Sequence, residues 1–359
     1  MKVHLVAGFL GSGKTTAITN ACKSLMDNGF TTSIVTNDQG KYIVDSKFVQ
    51  SLNIPNAEVK GGCFCCNYNQ LNDQIDFLNR SVQPNIVFAE SVGSCTDLVA
   101  TVLKPLLKFK EQEIEQLTFS TFVDSRLLFS YLLGEKLPFD DDTNYIWSKQ
   151  IEESEILVVN KVDLLEASEL QQLNLLADKL YPTKIKLYQN SLDVESINTW
   201  IKTIDKQHKL QLQTIEVDYK KYGAGEANLA WLDEEIEFTS NDYSALNVVD
   251  EFINKFSNGV MLENSPIGHL KFLVSYNNRN QKISYTTLPT KSSSNIDLTE
   301  KTNRVRLIVN ARIQTSPEKL RESVFNIVEE LNKNKHVDIK EDAISFFRPG
   351  FPKPTYRLV

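Results

Sequence analysis

The sequence is short of the features that usually account for clustered cysteines. Of its 359 residues only 5 are cysteine and 4 are histidine. That excludes a disulfide framework and a histidine-rich metal store. No apolar run reaches the roughly 18 residues needed to span a bilayer. Basic residues (39) are outnumbered by acidic ones (46), and the two signs are mixed along the chain. A basic footprint for nucleic acid or a membrane surface is therefore absent, and neither is expected as a partner. There is no internal repeat. KSSSN (291–295) is the one low-complexity patch and reads as a loop. The opening MKVHLVAGFLGSGKTT starts like a signal peptide, but its apolar run ends in glycines and a lysine, so it reads as a first strand. Free clustered thiols fit a reducing, cytoplasmic setting.

What is present is 41% hydrophobic, enough for large cores in two or three domains. Up to about residue 205, short apolar runs alternate with helical patterns. KVHLVA (2–7), TTSIVTN (31–37), NIVFAE (85–90), LTFSTFVD (117–124) and EILVVNK (155–161) read as strands. Stretches 14–29 and 167–180 read as helices, the first stopped by Gly29. This alternation predicts an α/β domain with a mostly parallel sheet covered on both faces. Residues 206–240 are polar and mixed and read as a connector. From 241 to 347 the pattern predicts a smaller α+β domain, an antiparallel sheet backed by two helices. Leu270, Phe272, Val274 and Tyr276 alternate along one strand, Val305 to Ile313 along another, and Ser316 with Pro317 opens a helix. A proline-rich, extended tail follows over 348–359.

GFLGSGKT (8–15) matches G-x-x-x-x-G-K-[ST] between a strand and a helix. Gly8 and Gly13 let backbone N–H groups curl around phosphates, Lys14 supplies charge to them, and Thr15 offers a hydroxyl to Mg²⁺. NKVD (160–163) follows an apolar strand. Asn160 and Asp163 there suit guanine, whose N1 and N2 donors meet a carboxylate, so GTP is expected over ATP. The alternative is an ordinary Asn-Lys turn. Glu90 ends a strand where such a site needs a carboxylate near Mg²⁺ and the attacking water; an acidic N-cap is the blander reading. TNDQG then offers Asp38 as the residue that senses the γ-phosphate, with Asp45 read as a solvated side chain.

GGCFCC (61–66) brings Cys63, Cys65 and Cys66 together. Soft thiolates at this spacing suit a divalent ion, Zn²⁺ or Co²⁺ first. Three ligands leave a tetrahedral ion one position short, which suits an exchangeable site. Buried filler and a Cys63/Cys66 redox pair stay as alternatives. Cys22 and Cys95 read as small core residues.

The ordered set of Gly8–Thr15 loop, TNDQG, GGCFCC, ESVG, STFVDS and NKVD resembles the CobW-type GTPases, metallochaperones related to the nickel-insertion GTPases of urease and hydrogenase maturation. The resemblance covers residues 1 to about 205 closely and the later domain more loosely. It implies slow GTP hydrolysis coupled to metal delivery to a client protein or cofactor pathway. Under it Gly8, Gly11, Ser12, Gly13, Lys14, Thr15 and Thr16 bind phosphates and Mg²⁺, and Glu90 acts as the Walker-B-like acid. Asn160, Lys161 and Asp163 read guanine, and Cys63, Cys65 and Cys66 hold the transferred metal. A nucleotide- or metal-dependent dimer is a further expectation. Two readings from other classes stand beside it, a GTP-binding regulator with a structural metal site and a P-loop kinase of a small molecule. The histidine-rich stretch of many relatives is missing, since His4, His208, His269 and His336 are scattered.

Overall fold

The computed structural model describes residues 1–40, 44–206, 212–263, 265–288, 296–333 and 336–359. His208 and the KSSSN patch lie outside the described residues. The chain divides into two compact units. One comprises 1–39, 52–225 and 351–359; the other comprises 40–51 and 226–350.

The first unit is built on seven parallel strands. In chain order they are β1 (Lys2–Gly8), β2 (Thr32–Asp38), β3 (Asn56–Lys60), β4 (Ile86–Glu90), β5 (Gln116–Asp124), β6 (Ile156–Asn160) and β7 (Ile185–Gln189). Their order across the sheet is β3-β2-β4-β1-β5-β6-β7. Every residue of β2 and of β6 is buried. That is why β6 opens as an unbroken apolar run, Ile156 to Val159, rather than an alternating one. Five of the seven are the strands expected from sequence. β3 and β7 were hidden because each is a short run interrupted by Glu58 or Lys186. The parallel topology puts the C-terminal ends of β1, β4, β2 and β6 along one rim, where a doubly wound sheet binds its ligand.

The second unit is an antiparallel sheet of β8 (Ala230–Ser240), β9 (Ile267–Tyr276), β10 (Arg279–Tyr285), β11 (Arg304–Ile313) and β12 (Val337–Phe347), ordered β10-β9-β11-β8-β12. Phe238, Phe252, Phe256, Phe272, Val305 and Leu307 share one core with helices Ala245–Leu262 and Pro317–Asn332. Ser316 caps the second helix by accepting from the Lys319 N–H at 3.2 Å. Asn277 and Asn278 turn β9 into β10, both at positive φ (45° and 60°), as a two-residue hairpin requires.

Two findings differ from the sequence reading. The stretch read as a connector holds β8, which pairs with both β11 and β12. Its buried Asp233 breaks the apolar pattern, and the Arg312 that pairs with it at 2.7 Å lies far along the chain, both side chains fully buried. Asp45 is not solvated. It sits on helix Val44–Ser51 within the second unit, bonded to Lys271 and to Lys282, the latter at 2.6 Å. Burial alone would raise its carboxyl, but the two ammonium groups hold it well below the usual carboxylate range. The tail read as extended carries no helix or strand, and its residues 351–359 belong to the first unit.

Candidate nucleotide site and thiol centre

The phosphate-binding loop leaves β1 at Gly8, whose φ is 133°. A Cβ there would stand 2.2 Å from the Phe122 carbonyl of the neighbouring strand. Gly13 (φ 95°) precedes helix Lys14–Asp27, and a Cβ on it would meet the Asn160 side chain at 2.3 Å. Both positions therefore require glycine for conformation and for space. Lys14 is buried, its ammonium donating to the Gly8 carbonyl at 2.7 Å. The Thr15 hydroxyl donates to Glu90 at 2.8 Å. Gly11 (φ 75°), Ser12 and Thr16 complete the loop and the first turn of the helix. Ser12 Oγ is buried and makes no hydrogen bond among the described residues. An orphaned hydroxyl, a buried lysine and helix N–H groups converge here, and such a set suits phosphate. The Thr15–Glu90 pair adds two hard oxygens, the donor type Mg²⁺ takes.

Asn160 ends β6 and ties three segments together. Its amide donates to the Ser12 carbonyl at 2.8 Å. Its carbonyl oxygen accepts from the Ser191 N–H and hydroxyl at 3.1 and 2.8 Å. Ser191 follows β7 and was invisible to a reading that missed that strand. Lys161 is held at φ 63° and reaches Asp124 at 3.0 Å. Asp124 is buried, which would raise its carboxyl, but Lys161 and Arg126 beside it lower it. Asp163 is exposed in the short turn Val162–Leu164 that follows β6. Asp38, at the end of β2, is buried on the same rim.

The thiol loop begins where β3 ends. Cys63 Sγ lies 2.7 Å from Cys65 Sγ, and Cys65 Sγ lies 3.8 Å from Cys66 Sγ. All three sulfurs fall within 4.8 Å of one another, and none is in a disulfide. A tetrahedral ion with bonds of ~2.3 Å to sulfur needs S···S separations of about 3.8 Å, so small shifts fit the trio around one ion. Hydrogen bonds from Cys65, Cys66 and Cys95 hold Cys63 well below the ordinary thiol value. The same contacts, with burial, push Cys65 well above it, and contact with Cys63 raises Cys66 to about 11.

The residues around the trio escaped the sequence reading. Asn37 donates to the Val59 and Gly62 carbonyls at 3.2 and 2.8 Å and accepts from the Phe64 N–H at 2.8 Å. The loop therefore hangs from β2, the strand that carries Asp38. Cys95, read as a small core residue, is fully buried, and among the described residues the group of mutually close ligand atoms comprises Cys63, Cys65 and Cys66 without it. Residues 351–359 cross the outer side. The Lys353 N–H meets Cys66 Sγ at 3.3 Å, and the Thr355 N–H and hydroxyl donate to the Cys65 and Cys66 carbonyls, each at 2.8 Å. Tyr356 packs edge-on to Tyr68, and Arg357 pairs with the buried Asp97 at 2.8 Å. Nothing in the local sequence announces the strap.

The sequence model described as CobW/HypB/UreG, nucleotide-binding domain, matches residues 2–189. Among curated proteins, the chain is 31% identical over 98 residues to the zinc chaperone YjiA of Escherichia coli (strain K12), covering 27% of this chain and 30% of that protein. It is 27% identical over 169 residues to the zinc chaperone YeiR of the same organism, covering 45% and 47%. The matched stretches thus span less than half of either relative. Among solved structures, HypB from Helicobacter pylori in complex with nickel aligns with a TM-score of 0.43 at 14% identity, over 61% of this chain and 92% of that one.

Proposed function

Because the chain belongs to the CobW/HypB/UreG family, we propose that it hydrolyses GTP and uses the thiol centre to bind a soft divalent ion and deliver it to a client under nucleotide control. The supporting observation is the Asn37 clamp, which hangs the loop of Cys63, Cys65 and Cys66 from β2, the strand that carries Asp38 and is separated from β1 by β4 alone. A rearrangement of the β2 end when the γ-phosphate leaves would be passed straight to the thiol loop. Lys14 and the loop N–H groups hold the phosphates, and Thr15 and Glu90 would hold Mg²⁺, which neutralises phosphate charge when bound. Asp38 stands by to sense the γ-phosphate. Asp163 reads guanine, with Asn160 and Lys161 bracing the base pocket. Zinc is the first candidate cargo, given the zinc chaperones among the relatives, and Co²⁺ the second.

A second reading keeps the ion as a structural part of a GTP-binding regulator. The burial of Cys63 and Cys65 and the overlying strap favour it. Metal titration separates the two. Affinity measured with a non-hydrolysable GTP analogue and then with GDP should differ by about 5- to 150-fold under the delivery reading, the usual range for coupled sites. By linkage, the metal shifts nucleotide affinity by the same factor. Lys14→Ala should lower GTP turnover by at least ~10²-fold while keeping the thiol centre. Equal metal affinity in both nucleotide states, or wild-type turnover in Lys14→Ala, would refute the delivery reading.

A further inference from the structure

We propose that residues 353–358 are a removable cover on the thiol centre, and that the face beneath them is where a client docks, laying down an extended segment whose aromatic and basic side chains replace Tyr356 and Arg357. This rests on the reading of Cys63, Cys65 and Cys66 as the site of a delivered ion and adds to it the surface past which the ion leaves.

Position comes first. Cys63 and Cys65 are buried and Cys66 is only partly so, which makes Cys66 the outer edge of the trio. The strap crosses at that edge. The Lys353 N–H meets Cys66 Sγ at 3.3 Å, and Thr355 bonds the Cys65 and Cys66 carbonyls through its N–H and its hydroxyl. Further along, the Leu358 N–H donates to the Ala100 carbonyl at 2.9 Å. Tyr356 packs against Tyr68 and Phe109, with ring centroids 5.3 and 5.1 Å away. The Arg357 guanidinium donates to the Asp97 carboxylate at 2.8 Å.

The composition of the strap makes it a cover and not a receiver. FPKPTYRLV (351–359) holds no cysteine, histidine or carboxylate side chain, so it offers nothing that a soft divalent ion takes as a side-chain ligand. An ion passing to a client's ligands leaves past Cys66, where the strap lies. The strap is also lightly seated. Of residues 351–359 only Pro352 is buried, while Lys353, Thr355 and Arg357 are exposed, and no helix or strand has to break to lift them.

The face underneath is built to hold an extended chain. Asp97 is buried at φ 63° and accepts from the Tyr219 hydroxyl at 2.6 Å. A non-glycine residue held at positive φ is a feature of ligand clamps. Ala100 lies in the π-helical turn Val99–Leu103, a form that recurs at functional sites. The carbonyls of Cys65, Cys66 and Ala100 take main-chain donors of any extended segment, and side-chain contacts then select which one. When Arg357 lifts, the buried Asp97 carboxylate is left uncompensated, so the replacement must bring a cation. The Tyr68 and Phe109 rings select an aromatic residue beside it.

The test uses the full-length, zinc-loaded chain and two acceptor peptides, Pro-Thr-Tyr-Arg-Leu and Pro-Thr-Tyr-Glu-Leu, each followed by the same pair of cysteines. Zinc transfer is timed from wild type, Asp97→Asn and the double variant Tyr356→Ala/Arg357→Ala, with Cys63→Ala as the control for the thiol centre. Wild type should give zinc faster to the arginine peptide than to the glutamate peptide, and Asp97→Asn should lose that preference. Transfer from the double variant to a small chelator should speed up roughly 3- to 70-fold, the combined loss of an ion pair and an aromatic contact. Excess peptide of sequence KPTYRLV should slow it again, a recovery that a misfolded variant would not show. Equal rates for the two acceptor peptides, or a preference that survives in Asp97→Asn, would overturn the docking face. Unchanged chelator transfer in the double variant, or no recovery with KPTYRLV, would overturn the cover. A wild-type dimer that the double variant loses would assign the face to a second copy and overturn the client. If Cys63→Ala holds zinc as tightly as wild type, the thiol-centre reading itself fails and the cover falls with it; if Cys63→Ala loses zinc while transfer ignores the strap, only the cover fails.

Discussion

The phosphate-binding loop and the thiol loop are alike in outline and different in construction. Each leaves the C-terminal end of a parallel strand and relies on glycines, Gly8 and Gly13 in one, Gly61 and Gly62 in the other. The phosphate loop is local. Strand, loop and helix N-terminus are contiguous, and its working groups are backbone N–H groups that any such loop presents. The thiol loop is not. Its conformation depends on Asn37 from another strand, and its outer side on residues more than 280 positions away, as the Lys353–Cys66 contact shows. A local site is robust and readable, whereas an assembled site can be tuned by parts that move.

That contrast can be broken by changing the parts that only the thiol loop needs. The largest effect is expected for Asn37→Ala. It leaves the buried Phe64 N–H without its acceptor, a loss of about 1–3 kcal/mol, and should weaken Zn²⁺ binding by roughly 10- to 100-fold. Chelator competition measures this, and the GTP affinity of the nucleotide-free, metal-free protein should hardly change. Equal damage to both sites would mean the two loops are one unit.

A second test, read as a pH dependence of stability rather than of metal binding, concerns the phosphate side. His4 lies on β1, four residues before Gly8, buried with Nδ1 at 2.6 Å from the Thr118 hydroxyl. Burial lowers its pKa to about 3. It is therefore neutral when folded and takes a proton on unfolding below the usual histidine value of about 6.5. Its contribution is fully present above that value and is lost as pH falls toward the folded value, by up to about 1.4 kcal/mol per pH unit. Denaturation of wild type and His4→Gln between those limits should show the slope in wild type and a shallower one in the variant. Identical slopes would remove His4 from the account.

The smallest effect concerns the strap. Arg357 is about a third exposed while its partner Asp97 is buried. With solvent screening such a pair is worth about 0.2–1 kcal/mol. Arg357→Ala should loosen residues 351–359 and speed metal exchange by up to about fivefold, read as zinc transfer to a chelator. Unchanged exchange would leave the strap as packing alone.

How far each site could be read follows from the same contrast. The Lys14 loop, Glu90 and Asn160 were legible because each sits at the end of a strand whose apolar run announces it. β8 was not, because Asp233 interrupts its pattern and the compensating Arg312 is distant. Asp45 looked solvated for the same reason, since its lysines lie on β9 and β10. Asn160 was expected at the base, and the structure gives it the further task of joining the Ser12 and Ser191 loops.

By itself the sequence determined the parallel sheet, the phosphate-binding loop and the presence of three thiols in a row, because these depend on neighbours in the chain and on hydrophobic period. Only the tertiary structure decided what surrounds those thiols. Hydrogen bonds of Asn37 and a strap from Lys353 to Arg357 reach the centre because the fold brings distant segments together, and contacts between distant segments leave no local pattern to read.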